Sequence, residues 1–120
     1  MRVELSRSSY AMRFSRFCRR LWQLRNDVKL SVVTRSEKGC VVASAEGVIS
    51  VPAFPIQKLV DTTGAGDLFA AGFLFGLVRG AGYEKAGMLG GLAAAEVIQH
   101  IGARPQASLK ELAQKHGLPV

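Results

Sequence analysis

Asp61-Thr62-Thr63-Gly64-Ala65-Gly66-Asp67-Leu68-Phe69 places a carboxylate, two glycines and a second carboxylate at the entrance to an apolar, helix-forming run that continues to Val78. The first turn of a helix leaves backbone N–H groups unpaired and carries the positive end of the macrodipole, so phosphate oxygens are favoured there. Gly64 and Gly66 lack Cβ and so let the backbone turn, and approach a ligand, more freely than other residues allow. In a simpler reading Asp61, Thr62 and Thr63 only cap the helix and the glycines only turn the chain. Capping accounts for one aspartate and gives no reason for Asp67 to follow Gly66 directly. Asp67 falls in the first turn, where a carboxylate can meet a hydroxyl beside a bound phosphoryl group. That combination suggests phosphoryl transfer, in which a protein mostly positions groups and stabilises charge.

Upstream of this stretch the pattern is that of strands. Lys29–Thr34, Cys40–Ala43 and Val48–Val51 are short, apolar and β-branched. The Lys38-Gly39 and Glu46-Gly47 pairs punctuate them as turns, and Pro52 and Pro55 end the last. Downstream the pattern is helical, from Gly64 to about Arg79, from Tyr83 to about Ile101, and from Ser108 to about His116. Gly102 and Pro105 break the second helix, and Ser108-x-x-Glu111 forms a capping box for the third. Gly87, Gly90 and Gly91 weaken the second helix by propensity, so they predict tight packing or close approach of a ligand. Gly72, Gly76 and Gly80 give the first helix a small-residue face that can lie close to a sheet or to another helix. The fold class is α/β, a meander of strands over 29–51 followed by three helices.

The chain of 120 residues can bury one modest core, and 48% hydrophobic with 21% charged residues is ordinary for a globular domain. The +7 formal charge is unevenly placed: residues 1–25 hold seven arginines against one glutamate, and the remainder is close to neutral. Phe14, Phe17, Leu21, Trp22 and Leu24 within that segment space out as a helical apolar stripe. The longest apolar run, Leu68–Val78, spans 11 residues, short of the roughly 20 a bilayer-spanning helix needs. Cys18 and Cys40 share no metal-ligand or redox spacing and read as free thiols of a reducing, cytoplasmic setting. His100 and His116 lack partners at ligand spacing, and no Gly-x-x-x-x-Gly-Lys-Ser/Thr string occurs, so nucleotide binding of the P-loop kind is excluded.

Asp61–Leu74, DTTGAGDLFAAGFL, resembles the C-terminal signature of the ribokinase-like sugar and nucleoside kinases, the PfkB family, at every constrained position. The resemblance runs from about Arg25 to Val120, through VVTRSEKG (Val32–Gly39) and AAAEVIQHIGARP (Ala93–Pro105). The latter looks more like the bacterial adenosine-kinase-type members than like ribokinase. The resemblance implies the C-terminal part of a three-layer kinase fold over 25–120, with ATP and magnesium, and a nucleoside of the adenosine kind or a sugar as acceptor. It implies Asp67 as the base, with Gly64 and the N–H groups of Ala65, Gly66 and Asp67 forming an anion hole. It implies a monovalent-cation site, potassium for example, at Asp61 and Thr63, fed by carbonyls near Gly102. Thr34 and Gly39 match a nucleotide-side loop whose usual form is Thr-x-Gly-x-x-Gly, with Ser36 here replacing the first glycine. A plain strand end and hairpin turn explains those two residues equally well. Ala94–Gly102, including Val97, resembles the wall of the adenine pocket, with His100 near its end as a nucleotide neighbour or a structural helix-end residue.

Family members are much longer, and the N-terminal part that carries most acceptor-binding residues and the lid has no counterpart in this sequence. Residues 1–24 do not resemble the family. A frameshifted or misplaced start accounts best for that break, ahead of a transit peptide or a basic arm for nucleic acid or anionic membrane. The expected partners are therefore a small-molecule nucleoside or sugar, with neither nucleic acid nor membrane. Self-association through an uncovered sheet edge, or pairing with a missing N-terminal half, stays open. The competing readings are a non-catalytic remnant that keeps a phosphate half-site, and a polyanion binder acting through the leader.

Overall fold

The computed structural model describes residues 28–118. The basic leader, its apolar stripe and Cys18 lie outside the described residues. Three strands, β1 (Leu30–Thr34), β2 (Cys40–Ser44) and β3 (Gly47–Val51), form an antiparallel meander in that order. Leu30 pairs with Ser44 and Thr34 with Cys40 across the first ladder, and Cys40 pairs with Val51 and Ser44 with Gly47 across the second. The first connection is a single 3-10 turn over Ser36–Lys38, closed by the Arg35 N–H on the Gly39 carbonyl at 2.7 Å. Ser36 stands there at φ 52°, the left-handed conformation that a glycine would take without strain. The second connection turns through Ala45 and Glu46, with the Ser44 hydroxyl accepting the Glu46 N–H at 3.2 Å.

After β3 the chain runs without regular structure to α1 (Ala65–Val78), then α2 (Tyr83–Val97) and α3 (Leu109–Lys115). α1 and α2 are antiparallel and meet backbone to backbone. A methyl on Gly72 would lie 2.7 Å from the Leu89 carbonyl, and one on Gly76 would lie 2.7 Å from the Ala86 Cα. The small-residue face expected of α1 is thus its seam with α2. Gly80 is not part of that seam; it lies beyond the helix, in the turn that follows.

α2 in turn rests on β2 and β3, so one face of the sheet is covered by helices. Cys40, Val42, Val51, Phe69, Phe73 and Ala86 form the core between them. Leu89, Leu92, Ala113 and Leu118 anchor α3, whose N-cap Ser108 accepts the Glu111 N–H at 3.3 Å. On the opposite sheet face Val41 and Ala43 are buried with Val33 and Val48 against them. Strand β2 is therefore apolar on both sides, as a central strand of a layered α/β fold must be.

α2 ends at Val97, four residues before the Ile101 expected from the sequence. Other partners take the groups that would prolong it. Gln99 Nε2 donates to the Ala95 carbonyl at 2.9 Å, the acceptor its own N–H would use in another helical turn. The Ile98 carbonyl accepts the N–H groups of Val60 at 2.8 Å and Asp61 at 3.1 Å. Val60 and Asp61 lie far from Ile98 in sequence, and local propensity gives no sign of them.

Candidate functional site

Asp61 does not cap α1. Its Oδ1 accepts the Thr63 N–H at 2.9 Å and the Thr63 hydroxyl at 2.6 Å, and its Oδ2 accepts the Gly102 N–H at 3.1 Å. The side chain therefore ties the loop before α1 to the loop after α2. The hydroxyl of Thr63, then the N–H groups of Gly102 and Thr63, hold the Asp61 carboxyl at about 2 against an ordinary 3.8, and His100 adds a smaller electrostatic contribution.

The N-cap of α1 is Gly64, at φ 81° and ψ 0°, and no side chain among the described residues caps the helix. A methyl on Gly64 would stand 2.7 Å from the Ala103 Cβ, so conformation and space both call for glycine. The Ala65 N–H is used by the Thr62 carbonyl at 3.1 Å. Gly66 and Asp67 follow it in the first turn, where helix geometry supplies no intrahelical acceptor for their N–H groups. Among the described residues nothing lies within 4 Å of where a Gly66 Cβ would be, and Asp67 is exposed beside it. Two N–H groups and a carboxylate thus face open space at the positive end of a helix.

That space opens into a cleft of about 660 Å³ between the end of the sheet, the 52–62 segment and the starts and ends of the helices. Thr62, Ala65 and Gly66 form one end. Thr34, Ser36, Glu37 and Gly39 form a second edge, and Phe54, Ile56, Leu59, Ala94, Ala95 and Ile98 supply apolar walls. An apolar cleft with a few converging polar groups is the usual shape of a small-molecule site. Cys40 lines it too, but burial pushes its thiol up to about 11 from 9.0, which leaves it protonated and unreactive at neutral pH.

Of the residues singled out from sequence, Thr34, Gly39, Ala65, Gly66 and Ala94 line this one cleft, with Asp67 one residue beyond Gly66. Gly64 lies behind them and sets the entry angle of α1. Val97, His100 and Gly102 are not among the lining residues. Val97 is wholly buried, His100 pairs with Glu96 at 2.9 Å, and Gly102 serves Asp61. Val97 lies within α2 but off the face formed by Gly87, Gly91, Ala94, Ala95 and Ile98, whereas His100 and Gly102 follow the early end of the helix.

Sequence reasoning did not single out Phe54, Ile56 or Leu59, which line the cleft; the signal available was an apolar segment stiffened by Pro52 and Pro55. It also passed over Glu96, a lone acid in the run AAAEVI with a histidine four residues on.

Among the described residues no group of three His, Cys, Asp or Glu side chains could hold a metal ion, so these residues do not by themselves build a magnesium site. A monovalent cation fits better. Asp61 stays ionised to low pH, its Oδ2 accepts one hydrogen bond only among the described residues, and Thr63, whose hydroxyl donates its hydrogen bond to Asp61, keeps its oxygen lone pairs.

A model of the pfkB family carbohydrate kinases matches residues 20–110, well over half of the chain. The adenosine kinase of Sinorhizobium meliloti is 45% identical with a TM-score of 0.80, over 88% of this chain and 32% of that one. A probable sugar kinase of Rhizobium etli CFN 42 is 48% identical with a TM-score of 0.78, over 81% and 29% of the two chains. The 2-dehydro-3-deoxygluconokinase of Escherichia coli (strain K12) is 46% identical over 79 residues, 63% of this chain and 26% of that protein. The chain spans about a third or less of the length of these relatives.

Proposed function

This chain belongs to the pfkB family of carbohydrate kinases, and we propose that its cleft is the nucleotide and phosphoryl-transfer part of an ATP-dependent kinase site. The observation that carries the reading is the open first turn of α1, with the Gly66 and Asp67 N–H groups and the Asp67 carboxylate at one end of an otherwise apolar cleft. ATP, when bound, supplies the γ-phosphoryl group. The Gly66 and Asp67 N–H groups, reinforced by the helix dipole, stabilise the charge on the transferring oxygens. Asp67 accepts the proton of the acceptor hydroxyl as the oxygen–phosphorus bond forms. The apolar wall of Phe54, Ala94, Ala95 and Ile98 takes the flat face of the base, and Thr34 and Gly39 border the nucleotide on the strand side.

Asp61 and Thr63 are the residues that would hold a monovalent cation such as potassium, next to the anion site. Magnesium would be bound mainly through the phosphates of the nucleotide. The acceptor proposed first is a nucleoside of the adenosine type, and a sugar second; the adenosine kinase and sugar kinase relatives support both classes.

The test is ATP-dependent phosphorylation of adenosine and of a panel of sugars by the purified chain beside Asp67→Asn. The expected result is turnover in the parent, lowered by at least about a hundredfold in the variant with ATP affinity retained. Turnover that survives Asp67→Asn would remove Asp67 as the base. ATP binding without turnover in the parent would reduce the site to a nucleotide half-site, and no ATP binding at all would overturn the proposal.

A further inference from the structure

Glu96 is buried to nine-tenths of its side chain, on a side of α2 that does not face the cleft. A carboxylate is costly to bury unless donors surround it. Its Oε1 gathers three: His100 Nε2 at 2.9 Å, the Gln106 N–H at 3.1 Å and the Ala107 N–H at 3.3 Å. Oε2 is buried without a partner among the described residues. All three donors belong to one stretch, 98–107, that follows α2. The same stretch carries the Ile98 carbonyl that accepts from Val60 and Asp61. It carries the Gly102 N–H that holds Asp61 Oδ2, and the Ala103 methyl that Gly64 lies against. One face of this stretch is thus fastened to Glu96, and the other face supports the loop from which α1 starts.

We infer that Glu96 is a positioning residue for the anion site. It fixes the 98–107 stretch, and through Gly102 and Ala103 it fixes the Asp61–Gly64 loop that aims the Gly66 and Asp67 N–H groups. Its catalytic meaning rests on the kinase reading above; its mechanical meaning rests on the hydrogen bonds alone. Asp61 has no direct contact with Glu96 and belongs to the same chain of contacts, so the two sites should loosen together. A purely local role would tie down Gln106 and Ala107 and stop there.

Amide hydrogen exchange on the full chain separates these cases, with Glu96→Ala, Glu96→Gln and the parent compared. In Glu96→Ala, exchange should quicken at Gln106 and Ala107, and by about tenfold also at Gly102 and Thr63, which do not touch Glu96. The Phe73 amide within α1 should keep its protection as a sign that the fold is intact. Glu96→Gln, which keeps an oxygen acceptor for the three donors, should restore protection at Gly102 and Thr63. ATP affinity, measured by calorimetry, should fall about tenfold in Glu96→Ala and recover in Glu96→Gln.

Unchanged exchange at Gly102 and Thr63 in a folded Glu96→Ala would overturn the inference. If Glu96→Ala loses its fold, Ala107→Pro deletes one donor at an exposed position and must still quicken Gly102; protection kept there would equally overturn it. A parent chain that binds no ATP would sink the kinase reading while the exchange data still decide the role of Glu96.

Discussion

Gly64→Ala and Gly66→Ala exchange the same atoms two residues apart and should act in opposite directions. At Gly64 the backbone is left-handed, φ 81°, which costs a residue with a Cβ about 1–2 kcal/mol. The added methyl would stand 2.7 Å from the Ala103 Cβ, where carbon atoms prefer about 3.5–4.0 Å. Overpacking of that degree costs about 1–3 kcal/mol, and the smaller freedom of alanine in the unfolded chain offsets about 0.4–1 kcal/mol. The sum is a loss of about 1–5 kcal/mol. Gly66 lies inside the first turn with none of the described residues within 4 Å of a new methyl, so alanine there should be neutral or stabilising by up to about 1 kcal/mol. The same methyl would occupy the space in front of the N–H groups, and ATP affinity should drop at least about tenfold, or ~1.4 kcal/mol. Urea unfolding followed by circular dichroism, with ATP calorimetry on the same samples, reads both effects. A Gly66→Ala chain as destabilised as Gly64→Ala, or one that binds ATP normally, would refute the assignment of one glycine to backbone geometry and the other to ligand space.

Ser36→Gly should stabilise the chain by about 0.5 kcal/mol, because relief of a left-handed serine outweighs the added freedom of glycine when unfolded; a midpoint in urea that falls would contradict this. The Asp61 carboxyl, lowered to about 2 from 3.8, should contribute stability that is complete above about pH 4 and is lost as the pH falls through about 2. The gap in stability between the parent and Asp61→Asn should therefore close over that window in acid unfolding, and a gap independent of pH would exclude the role of Asp61 as an ionised lock. Cys40 works in the other direction: with its thiol raised to about 11, stability holds below about pH 9 and declines from there toward pH 11. Cys40→Ala should flatten that alkaline decline in the same unfolding assay.

Much of the fold can be read locally. The β-branched runs of β1 to β3 and the Gly47 and Gly39 turns appear at the expected places, because strand pairing here is between neighbours in sequence. The start of α1 is equally local. The end of α2 is not: it depends on Val60 and Asp61 reaching the Ile98 carbonyl across the fold. For the same reason His100, adjacent to the cleft wall in sequence, pairs with Glu96 and does not line the cleft. Asp61 illustrates the limit within the site itself. Its spacing before a helix is that of a capping residue, and only the arrival of Gly102 from 41 residues away turns it into a lock between loops. Glu96 gives no local cue beyond its charge in an apolar run, since two of its three partners are backbone N–H groups ten and eleven residues further on.

The most direct test of the phosphate site is a titration of the isotopically labelled chain with ATP, followed at each backbone amide. The largest shifts are expected at Gly66 and Asp67, with a second set at Gly39 and Gly91 along the cleft. Shifts confined to the apolar groove between α1, α2 and α3, at Leu92, Leu109 and Ala113, or a Gly66 amide that does not respond at saturating ATP, would contradict it.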